Sequence, residues 1–319
     1  MAGRMKTAIA AAALAASSAP LAAQVTVEAP GPEGSLIGTY VEPEKGKPLV
    51  LILPGSGPTD RDGNNPMGVT AAPYRMVAEA LGERGIGTLR ADKRGLFASK
   101  AAVADPNAVT ISDYVDDVAA WSALARALSG RECVWLLGHS EGGLVALAAQ
   151  ERLENICGVV LVAAPARSYG TLLREQLQAN PANAPVLADA LAAINALEAG
   201  ERVDVSSMHP ALQRLFAPQV QGFLIDAMRY DPAAMAKVAT LPLLIVQGGK
   251  DLQVPVTDGE LFHAAGPSAQ YVLLTDMNHV LKGVAGDDPA ANLAAYRDPE
   301  QPLAEGLVDA IAGFVEDAR

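Results

Sequence analysis

Apolar residues in this chain recur in two rhythms. Short continuous runs at 48–53, 134–137, 156–162 and 241–246 are flanked by Gly, Pro or Asp. Unbroken runs of that length are expected of strands buried on both faces. Residues 85–91 and 270–274 add two more strands. Residues 25–28 and 36–41 predict a pair of short strands separated by Pro30-Gly31-Pro32-Glu33-Gly34. Helical patterns lie between the strands. They cover about 74–84, then 112–128 with Ser112 as its N-cap, the Ala- and Leu-rich run from Gly143, 258–265, and 303–317. Asp113, Asp116 and Asp117 sit favourably against the dipole of the second of these. Strands alternating with helices imply βαβ units and a mostly parallel sheet, the α/β class.

The alternation stops from about 167 to 239. That stretch is helical in pattern but broken at Pro181, Pro185, Pro210, Pro218 and Pro232. It reads as a helical cap inserted above the sheet, so residues 24–319 form one α/β domain carrying a cap. At the N-terminus, Arg4 and Lys6 precede an apolar run over 7–16, and Leu21-Ala22-Ala23 offers a cleavage site. This predicts a secretory signal peptide over 1–23 and an exported, periplasmic protein. No later run reaches the roughly 20 apolar residues of a membrane span.

Charge narrows the partners. Against 24 Lys and Arg stand 36 Asp and Glu, a net −12, deepening to −14 without Arg4 and Lys6. An acidic surface disfavours nucleic acid and anionic membranes as partners. The two cysteines, Cys133 and Cys157, fall near the starts of two consecutive strands. In an oxidising compartment they either bridge or pack as small buried thiols. Neither has the His or metal-ligand company of a nucleophile.

The chemistry centres on Gly138-His139-Ser140-Glu141-Gly142, which follows a strand and opens a helix. Strand, sharp turn and helix are the context of a nucleophile elbow, in which only glycine fits two residues either side of the serine. The Glu141 N–H, at a helix N-terminus, would face the reacting carbonyl oxygen and stabilise an oxyanion. A serine needs a base, and the base an acid. Of four histidines, His139 is inside the elbow, His209 in the cap and His263 mid-helix. His279 lies in a loop directly after the last strand, where open sheets build their sites, and is the expected base. In the order Ser, acid, His, the loop Gly248-Gly249-Lys250-Asp251 nominates Asp251, ahead of Asp226, Asp231 and Asp258. The second oxyanion N–H is expected from Ser56, with Gly57 next, in the Gly-rich loop after the strand at 48–53.

Four ordered motifs carry a family resemblance. They are Gly55-Ser56-Gly57-Pro58-Thr59-Asp60-Arg61-Asp62-Gly63-Asn64, then Asp92-Lys93-Arg94-Gly95, the elbow from Gly138 to Gly143, and Lys250-Asp251-Leu252-Gln253-Val254-Pro255. The chain resembles α/β-hydrolases of the serine aminopeptidase-like or bacterial carboxylesterase group over nearly its whole length after residue 23. The resemblance implies hydrolysis of small carboxylic esters by Ser140, Asp251 and His279, with no cofactor and no metal. The chain departs from the group at Phe97, where glycine is common. Asp60, Arg61 and Asp62 are expected to form an ion-pair cluster with Arg94, in a structural role. A peptidase or thioesterase could use the same triad. A peptidase that removes N-terminal residues would need an acidic pair for the substrate ammonium, for which Glu198, Glu201 and Asp204 are the candidates. A non-catalytic binding module is the reading from another class, and the intact constellation argues against it.

Overall fold

The computed structural model describes residues 23–266 and 268–317. The expected signal peptide therefore lies, but for Ala23, outside the described residues. Among the described residues eight strands form one sheet: β1 (Gln24–Pro30), β2 (Ser35–Val41), β3 (Leu49–Leu53), β4 (Gly87–Ala91), β5 (Val134–His139), β6 (Ile156–Val162), β7 (Leu243–Gly248) and β8 (Gln270–Leu274). Their spatial order is β1-β2-β4-β3-β5-β6-β7-β8. The first two strands run antiparallel to their neighbours, and β4 through β8 pair in parallel.

The continuous apolar runs are explained by a sheet covered on both sides. Along β3, Leu49, Leu51 and Leu53 enter one core while Val50 and Ile52 enter the other. The same split divides Leu136 from Trp135 and Leu137 in β5, and Leu161 from Val160 and Val162 in β6. One face is covered by α1 (Pro73–Gly82) and the C-terminal helix. The other is covered by α2 (Ile111–Ser129) and α3 (Glu141–Arg152). Between β6 and β7 come α4 (Tyr169–Ala179), α5 (Leu187–Glu198), α6 (Pro210–Leu215), α7 (Gln221–Met228) and α8 (Pro232–Val238). They carry a small core of their own around Ile194, Leu197, Phe216 and Leu224. Prolines at the first turns of α6 and α8 start those helices, since the missing N–H is unpaired there anyway. The chain closes with α9 (Val256–Ala265), α10 (Pro289–Ala294) and α11 (Leu307–Asp317).

Some sequence expectations need correction. The α2 N-cap is Thr110, not Ser112: the Thr110 side chain accepts from the Asp113 N–H, and the Asp113 carboxylate accepts from the Thr110 N–H. That capping box satisfies two orphan donors, which Ser112 could not do. The final helix begins at Leu307 rather than Leu303, because Leu303 bridges Lys282 in an extended pairing. The cysteines resolve in favour of the bridge. Cys133, directly before β5, and Cys157 in β6 form a disulfide with Cα atoms 5.3 Å apart.

Candidate active site

Strand β5 ends by delivering Ser140 into a left-handed backbone conformation, φ 53° and ψ −124°. A non-glycine residue held there stores strain that the surroundings must offset. The Ser140 N–H donates to the Val162 carbonyl at 3.0 Å, and its carbonyl accepts from the Gly143 N–H at 2.9 Å. The glycine requirement is explicit: a Cβ at Gly138 would overlap the Gly142 carbonyl, and one at Gly142 would overlap the Leu53 carbonyl. The Glu141 N–H opens α3, where no intrahelical acceptor exists for it.

The loop after β7 supplies Asp251, whose side chain is fully buried. One carboxylate oxygen accepts from the Gln253 and Val254 N–H groups at 2.7 and 2.8 Å. The other lies 2.8 Å from Nδ1 of His279, in the loop after β8. A carboxylate accepts, so Nδ1 carries the proton and Nε2 is left as the basic nitrogen. Ser140 and His279 line one cavity of about 320 Å³ with Ser56, Gly57, Tyr74 and His139. No hydrogen bond joins Ser140 to His279 in the structure, as is common before substrate binds.

The Gly55–Gly57 turn sits over the serine. A Cβ on Gly55 would lie 3.2 Å from the Ser140 Cβ. Ser56 is exposed and its N–H makes no hydrogen bond within the described residues. It also lines two further cavities, of about 220 and 540 Å³, shared with Glu141, Tyr169 and Leu173. All five expected site residues, Ser140, Asp251, His279, Ser56 and Glu141, are thus brought to the carboxyl ends of the parallel strands.

Several other expectations are sorted by the geometry. Asp226 accepts from the Ile111 N–H, Asp231 caps α8, and buried Asp258 binds Arg167, so none competes with Asp251. His209 caps α6, and His263 stacks on Tyr271. The cluster expected of Asp60, Arg61, Asp62 and Arg94 does not form. Arg61 pairs with Asp92 and Asp62 with Arg90, while Asp60 accepts from the Asp62 and Asn64 N–H groups. Arg94 instead binds Asp117 and Asp113 on α2. The acidic loop thus braces itself against β4, and Arg94 faces the neighbouring helix. Phe97 stands at φ 46°, a left-handed position that glycine occupies without strain. Glu198 pairs with Arg174, and Glu198, Glu201 and Asp204 line none of the three cavities.

Two contacts escaped the sequence reading. Lys93 Nζ donates to the Glu141 carboxylate at 2.9 Å with both side chains buried, and it lies 5.0 Å over the Tyr114 ring. Burial opposes the ammonium, but Glu141 and Tyr114 outweigh it and hold the Lys93 pKa above its ordinary value. Tyr74 and His139 form the second, with the Tyr74 hydroxyl 2.7 Å from His139 Nδ1. Charged residues directly after a buried strand were a visible signal for Lys93. For Tyr74, on an apolar helix face, the sequence offers none.

A serine on a strained strand-to-helix elbow, with a carboxylate-held imidazole beside it on this eight-strand topology, defines an α/β-hydrolase. The chain belongs to the hydrolase family described as "Serine aminopeptidase, S33", whose sequence profile matches residues 67–282, a span that takes in Ser140, Asp251 and His279. Among known proteins it is similar to Esterase EstD of Thermotoga maritima, 28% identical over 241 residues. That match covers 73% of this chain and 54% of EstD, so the chain spans about half that relative's length. Similar solved structures include a thermophilic esterase from Thermogutta terrifontis (TM-score 0.56, 18% identity, 93% of this chain and 99% of that one). An esterase from Pyrococcus furiosus gives TM-score 0.56 at 16% identity, covering 92% of each chain. These likenesses show the fold.

Proposed function

We propose that this chain is an exported serine carboxylesterase acting on short-chain esters. Ser140 is the nucleophile, His279 the general base and Asp251 the group that orients it. Ser140 attacks the ester carbonyl while His279 Nε2 takes its proton, and the N–H groups of Ser56 and Glu141 hold the oxyanion. His279 then protonates the departing alcohol, and water enters by the same route to release the acid. The observation that carries the reading is the buried Asp251 bonded to His279 on the wall of the cavity that also holds the strained Ser140. The 67–282 family match and the likeness to EstD support it. The helices from α4 to α8 act as a cap: Tyr169, Leu172 and Leu173 line the 220 Å³ cavity beside Ser140.

A peptidase reading has the family's description behind it, but it needs an anionic site for a substrate ammonium. Among the described residues Glu141 is the sole carboxylate on the walls of the three cavities, and Lys93 already neutralises it. Esters therefore fit better than free-amine peptides. The test is turnover of p-nitrophenyl acetate, butyrate and octanoate beside an aminoacyl p-nitroanilide and an acyl thioester. Ester cleavage exceeding the other two supports the proposal, and dominant anilide cleavage moves the chain to the peptidases.

A further inference from the structure

Both groups that act on the substrate, the oxyanion loop and the base, are tied to one buried chain of hydrogen bonds. The Gly55 N–H donates to the Tyr74 hydroxyl oxygen at 2.9 Å. The Tyr74 oxygen lies 2.7 Å from His139 Nδ1, and His139 Nε2 lies 2.8 Å from the His279 backbone carbonyl. Tyr74 and His139 are 2% and 5% exposed, so water does not compete for these bonds.

The direction of every bond follows from its ends. A carbonyl oxygen only accepts, so His139 must carry its proton on Nε2. A neutral ring protonated there has a bare lone pair on Nδ1, which accepts the Tyr74 proton. That leaves the Tyr74 oxygen to accept from Gly55, which as an amide only donates. Each donor meets an acceptor along the chain, provided His139 stays neutral. The environment keeps it so: burial first, then the nearby His279 ring, push the His139 pKa down to about 3. A protonated His139 would point a second N–H at the Tyr74 oxygen and leave the hydroxyl proton without its acceptor.

We infer that Tyr74 and His139 are positioning residues that couple the oxyanion loop to the catalytic base through this one-way relay. With the Gly55 N–H committed to Tyr74, the loop is pinned against Ser140 and the next N–H, that of Ser56, stays free to face the substrate. At the other end His139 holds the main chain of His279 while Asp251 holds its ring, so the imidazole is fixed at two points. The relay touches groups whose contacts strengthen as charge develops. Breaking it lowers kcat more than it raises KM.

The inference rests on the Ser140–His279–Asp251 reading, so Ser140→Ala belongs in the same experiment. Steady-state hydrolysis of p-nitrophenyl butyrate is measured for Tyr74→Phe, His139→Leu, their double variant and His139→Gln. A displaced oxyanion donor or base costs about 10- to 100-fold in kcat, with KM within about twofold. Because both single variants break one chain, the double is expected to be no slower than the worse single. Glutamine keeps an acceptor and a donor in one side chain, so His139→Gln is expected to recover most of what His139→Leu loses. Near-wild-type kcat in both single variants, multiplying losses in the double, or no recovery in His139→Gln would each overturn the relay while Ser140→Ala still reports the triad. Activity persisting in Ser140→Ala would instead sink the functional reading. Where a variant does not fold, ¹⁵N-histidine NMR of the unaltered protein decides the hydrogen-bond direction. A proton on Nε2 and a bare Nδ1 at His139 support the relay, and the opposite tautomer refutes it.

Discussion

Lys93 and Glu141 give the sharpest stability prediction, because the pair is buried at the elbow itself. Their contact of 2.9 Å, with side-chain exposures of 6% and 8%, leaves little solvent to screen it. At an effective dielectric of about 20 the gross attraction is about 6 kcal/mol, which offsets the cost of desolvating two ions. Lys93→Met keeps the aliphatic stem and removes the ammonium, stranding the Glu141 carboxylate beside the N–H groups that would hold the oxyanion. Breaking a buried pair this way costs about 3–5 kcal/mol. Adding Glu141→Gln removes the stranded charge while sparing the Glu141 backbone N–H. The double variant is therefore expected to regain most of the loss in stability and part of the loss in turnover. Urea denaturation followed by circular dichroism, with ester turnover on the same samples, reads both effects. A Lys93→Met cost below about 1 kcal/mol, the range of an exposed pair, would show that solvent screens the contact after all.

Three further outcomes are expected. Asp251→Asn preserves the packing but no longer demands a proton on His279 Nδ1, so kcat should fall by up to about 10⁴-fold with little change in fold stability; a tenfold effect or less would argue against Asp251 as the orienting acid. His139 has a folded pKa of about 3 against an ordinary 6.5, so its neutral form stabilises the fold fully above pH 6.5, and that contribution is lost as pH falls toward 3. The loss amounts to about 2 kcal/mol at pH 5, to be measured as the difference in pH slope between the unaltered protein and His139→Gln. The Cys133–Cys157 bridge, spanning a sequence separation of 24, restrains the unfolded chain. Its removal in Cys133→Ala/Cys157→Ala should cost about 3 kcal/mol; an unchanged urea midpoint would show that it does not.

What the sequence made legible follows from how local each signal is. Unbroken apolar runs marked β3, β5, β6 and β7 because strands covered on both faces have no polar side to show. The elbow was legible because its glycines and its strand-to-helix context are contiguous. Asp251 and His279, which meet at 2.8 Å, could be nominated because the loops after β7 and β8 are the places where the topology exposes side chains. Contacts set by tertiary packing were harder to read. Tyr74 meets His139 across 65 residues, and Lys93 meets Glu141 across 48. Arg94 turned toward α2 because Asp113 and Asp117 lie one helical turn apart on the face presented to it, whereas Arg61 and Asp62 were already satisfied by Asp92 and Arg90. The N-cap moved by two residues because Ser112 lacked the reciprocal partner that Asp113 gives Thr110.

Trapping the nucleophile shows whether Ser140 attacks an ester carbonyl with His279 as its base. The protein is treated with an alkyl p-nitrophenyl phosphonate, whose phosphorus an activated serine attacks with loss of p-nitrophenolate, and the adduct is located by peptide mass spectrometry. One stoichiometric adduct is expected on Ser140, formed in step with loss of p-nitrophenyl butyrate turnover and strongly slowed by His279→Ala. An adduct on another residue, or full turnover with Ser140 blocked, would contradict it.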